Sequence, residues 1–406
     1  MDRGDEVRRA VRGQQLRGDR DPARLVDGEL DHRPSLTHIT DTGNGGGPCR
    51  ALGTAVGRPA VESPPGRRRS AGVTNLEVRP AEIEAACGAR EPGVELVGPR
   101  DVPLGGPRAM TVRRTLPSRT RSMIGPFCFA DHYGPDDIAA TGGMDVAPHP
   151  HIGLQTVTWL FEGTVLHQDS LGSVVEVSPG QLNLMTAGRG IAHSEEGTLA
   201  RFPAQRRLHG VQLWTALPDA ARHGSPAFQH VADPPVLDVG GARVRVFMGA
   251  LGGELAWARS PATAYSPLVA AQVDLPARTT VRLPVERGFE HGVLLDFGDL
   301  TVAGTSVPEA HLAYVPPGAD GLELTAGQRP VRAVLIGGEP FGEKLLMWWN
   351  FVGRTHEEVA EARAQWQAAI AGDTEAVARF GTVPGYDGAP LPAPELPNVR
   401  LRPRER

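Results

Sequence analysis

The sequence predicts an all-β protein made of two antiparallel β-barrel domains followed by a short C-terminal helix. Short apolar segments alternate with turn residues from about residue 95 to 345. Within this region, the part from Arg243 to Ile336 repeats the style of the part before it, which indicates an internal duplication. After Thr355 the apolar spacing changes from that of strands to that of a helix. Many short strands with regular turns are typical of sandwiches and barrels.

The first series of apolar segments defines the predicted N-terminal barrel. Its turns read "EG", "SLGS" and "SPGQ", which contain the residues that tight turns favour. The predicted strands are Thr156–Phe161, Val165–Asp169, Val174–Val177, Leu182–Met185 and Ile191–Glu195. The second series contains "ARTTVRLPVERG", "GVLLDFGDLTVAG" and a "PPG" turn, and it predicts a second barrel of similar design.

A helix is predicted at the start of the C-terminal segment. Thr355 is followed three residues later by Glu358, which is the spacing of a capping box. Four residues then share one helical face: Val359, Ala362, Trp366 and Ala369. We expect this face to pack against the β-core. The proline-rich tail that follows is expected to have no core of its own.

Composition narrows the class of protein. The net charge is −5 and no basic stripe occurs in the predicted barrels, which argues against direct nucleic-acid binding. The three cysteines are far apart and form no CxxC pair, so a reducing compartment is expected. The chain has no apolar run of about 18 residues, and its charged N-terminus lacks the apolar stretch of a signal peptide. We therefore expect a cytoplasmic protein, monomeric and without a membrane partner.

Residues 1–72 differ from the rest of the chain. They are rich in Gly, Pro and Arg and show no strand or helix period, so they are predicted to be a disordered extension. The basic run Arg67–Arg69 could be a nucleic-acid arm, and translation could begin at Val73; the second alternative is favoured. The predicted domains are then 73–235 and 236–352, with the helix and tail in 353–406.

Two pairs of side chains at spacing two carry the predicted chemistry. In a strand, residues i and i+2 project to the same face, so His149 and His151 lie side by side, with Pro150 facing away. His193 and Glu195 repeat this geometry on a later strand. Three imidazoles and one carboxylate suit a divalent transition metal with open positions. Metal binding would also offset the cost of burying these polar groups.

The remaining histidines are predicted to be less informative. His167 could line the pocket or belong to a hairpin, and both alternatives stay open. His132 and His209 are predicted to be structural. The second barrel contains only His291 and His311 and has no paired donors, so it is expected to bind no metal.

The motifs around these residues resemble the pirin family. The resemblance rests on "HPHIGLQTVTWLFEG", "HQDSLG", "SPGQLNLMTAGRGIAHSEE" and "LHGVQLW", and it covers about residues 97–352. It implies a bicupin, in which only the N-terminal of two β-barrels holds metal. It also implies iron(II) at His149, His151, His193 and Glu195. Manganese, cobalt, nickel, copper and zinc are alternatives.

Two positions depart from the family pattern. Pirins often read "HPHRGFET", whereas this chain has Ile152 in place of the Arg and Gln155 in place of the Glu. In pirins that Glu is not the carboxylate ligand, so the metal site is expected to survive. Because outer groups orient the ligands of a metal, substrate preference is the property that these changes put in question.

The resemblance implies two kinds of function. Bacterial pirins are similar to quercetin 2,3-dioxygenases, which cleave a flavonol with O2 and release carbon monoxide, whereas eukaryotic pirins act as iron-dependent transcriptional cofactors. A redox-sensing protein that binds a metabolic enzyme is a further alternative. The donor set favours the enzyme, with a small aromatic substrate, O2 and Glu195 as the proton acceptor. An apolar lining is expected from those members of Leu154, Trp159, Leu184 and Met185 that face inward by strand alternation.

Overall fold

The computed structural model describes residues 83–85, 93–104 and 110–402. The predicted extension at residues 1–72 lies outside the described residues. In chain order the strands are β1 (Ile83–Ala85), β2 (Glu95–Val97), β3 (Arg100–Leu104), β4 (Met110–Leu116), β5 (Phe127–Asp137), β6 (Met144–His151), β7 (Leu154–Glu162), β8 (Val165–Asp169), β9 (Val174–Val177), β10 (Leu182–Thr186), β11 (Ile191–Gly197), β12 (Arg207–Ala216) and β13 (Ala227–Val231).

The second half of the chain continues this strand series. Its strands are β14 (Val236–Val239), β15 (Ala242–Gly249), β16 (Leu268–Leu275), β17 (Thr280–Pro284), β18 (Glu290–Phe297), β19 (Leu300–Val302), β20 (Thr305–Val307), β21 (Leu312–Val315), β22 (Gly321–Ala326), β23 (Val331–Gly338), β24 (Leu345–Trp348) and β25 (Phe351–Gly353). The helices are α1 (Ile138–Thr141), α2 (His356–Ile370) and α3 (Thr374–Phe380).

Each barrel combines a seven-stranded and a four-stranded antiparallel sheet. In the N-terminal barrel the strand orders are β13-β10-β7-β12-β5-β4-β3 and β6-β11-β8-β9. In the C-terminal barrel they are β14-β15-β16-β23-β18-β21-β2 and β17-β22-β19-β20. This architecture confirms the predicted all-β class with two antiparallel barrels. The early strand β2 pairs with β21, so a segment that precedes the first barrel extends the sheet of the second.

The two seven-stranded sheets pack against each other. A cluster of buried apolar side chains joins them, and it includes Val157 and Leu184 from the first barrel and Ile336 from the second. Trp159 stacks on Phe247 with a centroid separation of 4.4 Å. Each of these sheets is therefore buried on both faces, which gives strands without clear apolar–polar alternation.

The C-terminal helix forms where it was predicted. Thr355 caps α2, and its side chain accepts a hydrogen bond from the Glu358 amide. The Glu358 carboxylate accepts from the Arg354 amide rather than from Thr355, so the capping box is incomplete. The predicted apolar face of α2 is buried. No helix in the described part of the chain is long and apolar enough to cross a membrane.

The proline-rich tail packs on α2, which the sequence did not indicate. Leu391 and Leu401 are buried, and Trp366 Nε1 donates a hydrogen bond to the Leu391 carbonyl over 2.7 Å. The opposite side of this apolar cluster contains Ile152 and Ala192, which adjoin His151 and His193 in sequence. The C-terminal segment therefore supports the strands that carry the predicted ligands.

Candidate metal centre

Three predicted ligands meet inside the N-terminal barrel. His149 and His151 lie on β6 and His193 lies on β11, the adjacent strand of the four-stranded sheet. His193 is paired directly with His149 across the two strands. All three side chains are buried, and their donor nitrogens lie within 4.8 Å of one another.

Hydrogen bonds turn the Nε2 atoms of this triad towards a common point. A carbonyl oxygen can only accept, so His149 Nδ1 donates to Ala147 (2.9 Å) and His151 Nδ1 donates to Asn350 (3.2 Å). His151 Nε2 lies 3.1 Å from His193 Nε2, and His149 Nε2 is buried without a hydrogen-bond partner. Converging lone pairs, one of them unpartnered, fit a transition metal with nitrogen ligands.

Burial keeps the triad neutral, which is the form that binds metal. Loss of solvent lowers the pKa of His149 to about 4. The same cause lowers the pKa of His151 and of His193 well below the usual range. A neutral imidazole needs no deprotonation before it can act as a ligand.

Glu195 borders the same cavity but lies apart from the converging nitrogens. Its carboxylate is not part of the donor group that the three histidines form within 4.8 Å. Thr158 and Gln212 each donate a hydrogen bond of 3.3 Å to its Oε1. Burial raises the pKa of Glu195, and these hydrogen bonds oppose that effect. Direct ligation by Glu195 therefore stays a prediction.

The cavity at the triad is small and aromatic. Its lining consists of Phe129, Asp131, Met144, His149, His151, His193, Glu195, Gln212 and Trp214. Phe129 and Trp214 stack with a centroid separation of 4.0 Å, and Arg114 neutralises Asp131 through hydrogen bonds of 2.6 and 2.8 Å. The space open to the centre of a water molecule is about 10 Å³, which suffices for about one water.

The predicted lining was wrong. None of Leu154, Trp159, Leu184 and Met185 lines the cavity. Trp159 and Leu184 face the other barrel, where they belong to the cluster between the sheets. Both faces of their sheet are apolar, so alternation along the strand could not identify the inner face. The aromatic lining comes from β5 and β12 instead.

The two departures from the pirin pattern have separate structural explanations. Ile152 packs in the apolar cluster beneath the C-terminal helices, where a charged arginine would lose its solvent. Gln155 Nε2 donates to the Thr186 hydroxyl (2.9 Å) and to the Thr263 carbonyl (3.0 Å). A glutamate at position 155 would lack these donors. Neither residue lines the cavity.

His167 is buried beside His193, although it does not line the cavity. Its Nδ1 lies 3.4 Å from His193 Nδ1, and its Nε2 lies 3.2 Å from Asp169 Oδ2. The sequence leaves the role of His167 open, and Asp169 is not among the predicted site residues. The spacing of the two residues could have indicated that they act together. His167 and Asp169 are two residues apart, as are the members of each predicted ligand pair.

A second group of metal-type donors lies between the barrels. His132 Nε2 and His209 Nε2 lie 2.7 and 2.6 Å from the same oxygen, Asp296 Oδ1. Arg332 Nε is 2.9 Å from Asp296 Oδ2, and Arg113 lies 3.3 Å from His132 Nδ1. The guanidinium of Arg332 already compensates this carboxylate, so we interpret the group as an ionic cluster that joins the barrels. This agrees with the structural role predicted for both histidines.

His291 lies on β18 of the second barrel, and its side chain is buried. Both of its ring nitrogens are buried without a hydrogen-bond partner. Burial lowers its pKa to about 4. The unfolded chain therefore binds a proton below about pH 6.5 that the folded protein rejects, and stability is lost as the pH falls towards 4.

We expect His291→Leu to stabilise the protein. The substitution removes unpaired buried polar atoms at similar volume, which is worth about 1–3 kcal/mol at pH 7.5. At pH 5.5 the gain should be larger by about 1 kcal/mol, because the proton uptake of the unfolded histidine is also removed. Denaturant unfolding at the two pH values checks this. Equal or lower stability of the variant at both would contradict the expected result.

Comparisons with known proteins agree with these features. The chain matches the family model described as Pirin over residues 109–215 and the Pirin C-terminal cupin domain over 270–372. It is 43% identical over 304 residues to a Pseudomonas aeruginosa protein named "Putative quercetin 2,3-dioxygenase", covering 75% of this chain and 91% of that protein. A Caulobacter vibrioides protein named "Pirin-like protein" is 38% identical over 266 residues, which is 63% of this chain and 88% of the relative.

A solved structure extends the likeness to the fold. The crystal structure of quercetin 2,3-dioxygenase from Acinetobacter baumannii superimposes with a TM-score of 0.68 at 39% identity, over 76% of this chain and 98% of that one. Both family-model regions, the two barrels and the buried histidine triad occur together in this chain. The chain belongs to the pirin family.

Proposed function

We propose that this pirin is an iron(II)-dependent dioxygenase that cleaves a flavonol such as quercetin with O2. The observation that carries the proposal is the convergence of three neutral, buried imidazoles on one point of a cavity that also contains a carboxylate and two stacked aromatic rings. The names of the relatives in Pseudomonas and Acinetobacter support the same chemistry.

The residues of the cavity have two roles, metal binding and proton acceptance. His149, His151 and His193 would hold the metal through Nε2. When bound, the metal supplies Lewis-acid activation of oxygen atoms. Glu195 accepts the proton of the flavonol hydroxyl; Thr158 and Gln212 hold its Oε1 and so orient the carboxylate.

Substrate entry requires movement of the cavity wall. A space of about 10 Å³ admits one water, whereas ligand pockets usually measure about 300–1,000 Å³. Met144 is the most adaptable wall residue, because an unbranched thioether side chain changes rotamer readily. We infer that Met144 and the Phe129–Trp214 pair separate to admit a flat aromatic ring, which can then stack on them.

The small cavity also favours a second candidate function. An iron-dependent regulatory or redox-sensing protein needs room only for the metal and a water, and this is what the cavity provides without any movement. Such a protein would act through a transcription or metabolic partner. Oxygen consumption distinguishes the two candidates, because only the dioxygenase consumes O2 in proportion to the flavonol.

Glu195→Gln tests the proton-acceptor role. The amide keeps the size of the side chain but loses its basicity, so we expect flavonol turnover to fall about 100-fold or more at equal metal content. Metal occupancy should fall less than turnover does. Iron analysis and oxygen uptake on the same preparations check both values.

Glu196→Gln is the matched control. It removes the same charge at the next residue, where the carboxylate accepts from the Thr198 hydroxyl instead of bordering the cavity. Its turnover should equal that of the unmodified protein. Full turnover by Glu195→Gln at full metal loading would show that Glu195 is not the proton acceptor.

A further inference from the structure

We propose that His167 and Asp169 act as a positioning pair that fixes the tautomer of His193 for metal binding. This inference rests on the proposed metal binding at the triad. The three side chains form a buried chain, from Asp169 Oδ2 to His167 Nε2 (3.2 Å) and from His167 Nδ1 to His193 Nδ1 (3.4 Å).

Asp169 determines which atoms donate and which accept in this chain of hydrogen bonds. Its Oδ1 accepts hydrogen bonds from the amides of Leu171 (2.9 Å) and Ser173 (3.0 Å), which fixes the carboxylate in the turn after β8. Its Oδ2 faces His167 Nε2. Since a carboxylate oxygen accepts, His167 Nε2 carries the hydrogen and donates it to Asp169.

The tautomer of His193 follows from that of His167. In the tautomer with its hydrogen on Nε2, His167 presents Nδ1 as an acceptor. His193 Nδ1 faces this atom and therefore donates, which leaves the lone pair of His193 on Nε2. That nitrogen is the one directed at His151 Nε2 and the converging point of the triad.

The fold holds the pair in place without giving it direct access to the metal. Phe228 stacks on the His167 ring with a centroid separation of 4.4 Å and an interplanar angle of 16°, which fixes the ring plane. The nitrogens of His167 lie outside the group that the triad forms within 4.8 Å. His167 therefore acts through His193.

His193 differs in this respect from the other two ligands. Backbone carbonyls accept from Nδ1 of His149 and His151, and a carbonyl cannot become a donor. Of the three histidines, only His193 has its tautomer set by side chains. Only its tautomer can therefore be reversed by substituting a residue that does not bind the metal. Outer partners of metal-bound histidines usually change metal affinity by about 10–100-fold.

Asp169→Asn tests the proposal through cobalt(II) binding. An asparagine keeps its oxygen on the Leu171 and Ser173 amides and turns its NH2 towards His167 Nε2. His167 Nε2 must then accept this hydrogen bond, so the hydrogen of His167 moves to Nδ1. There it faces the hydrogen on His193 Nδ1. The repulsion between these two hydrogens favours the His193 tautomer with its hydrogen on Nε2. We expect the dissociation constant for cobalt(II), titrated by its visible absorbance, to rise about 10–100-fold.

Asp169→Ala separates positioning from a structural role. Alanine removes the anchor without reversing the tautomer, so it should weaken cobalt(II) binding less than asparagine does. A role limited to the turn predicts the opposite order, because asparagine keeps the bonds to Leu171 and Ser173. Asp145→Asn is the charge-matched control, since Asp145 is exposed and bonded to Tyr386, and its affinity should not change.

The remaining outcomes separate this inference from the proposed function. His167→Phe keeps the stacking on Phe228 and removes the acceptor, so it should weaken binding about 10-fold even if the Asp169 variants do not fold. Unmodified protein that binds no cobalt(II) would overturn the metal site and, with it, the positioning role. Normal binding by the unmodified protein, with Asp169→Asn and His167→Phe within about threefold of it, would overturn the positioning role alone.

Discussion

His193→Ala is expected to abolish tight metal binding together with flavonol turnover. His193 supplies one of three converging Nε2 atoms, and its loss leaves two imidazoles on a single strand. Because even outer partners of a ligand cost about 10–100-fold in affinity, loss of the ligand itself should cost more than ~100-fold. Iron analysis after dialysis and oxygen uptake with quercetin measure the two effects.

The matched control for this variant is His230→Ala. His230 lies on β13, exposed and hydrogen-bonded to Asn183, and it has no part in the triad. This control should keep both metal and activity. If His193→Ala still held one tightly bound iron per chain, the triad would not be the metal site.

Among the substitutions proposed here, Asp296→Ala should cause the largest loss in the free energy of unfolding. The carboxylate compensates His132, His209 and Arg332 at the contact between the barrels, and its removal leaves buried groups unpaired. Breaking such a buried ionic cluster costs about 3–5 kcal/mol, which lowers Tm by on the order of 10 °C. Thermal unfolding followed by circular dichroism measures the change.

The pKa of Asp296 predicts how this stabilisation depends on pH. Burial alone would raise the pKa, but hydrogen bonds from His132 and His209 outweigh burial and hold it well below the usual range. The contribution is therefore present at neutral pH and is lost as the pH falls below about 4. Asp299→Ala removes an exposed partner of Arg329 and should cost far less. Equal losses in the two variants would contradict the assignment of the cluster.

Local chemistry made much of the fold predictable. Turn residues delimit β8 and β9 so clearly that the predicted bounds Val165–Asp169 and Val174–Val177 are those of the structure. The predicted apolar face of α2 is the buried one, since the spacing of its apolar residues places them all on one side of the helix. Spacing likewise placed His149 and His151 on one face of a strand, because strand alternation puts residues i and i+2 on the same side.

Features that depend on the packing of distant segments could not be predicted. Asp296 lies 164 residues from His132 in sequence, and no local pattern pairs them. The Asn350 carbonyl that orients His151 is a backbone group 199 residues away, so no side-chain motif indicates it. Trp159 was among the expected lining residues but is buried against the other barrel, a contact that no local pattern indicates.

Oxygen consumption by the iron(II)-loaded protein on addition of quercetin tests the central claim most directly. The preparation should contain one iron per chain, and the measurement should follow dissolved O2 and released carbon monoxide together. We predict that both change in proportion to the quercetin added and that His193→Ala shows neither change. Protein that holds iron yet consumes no oxygen with quercetin or any other flavonol tested would contradict the dioxygenase and favour the regulatory function.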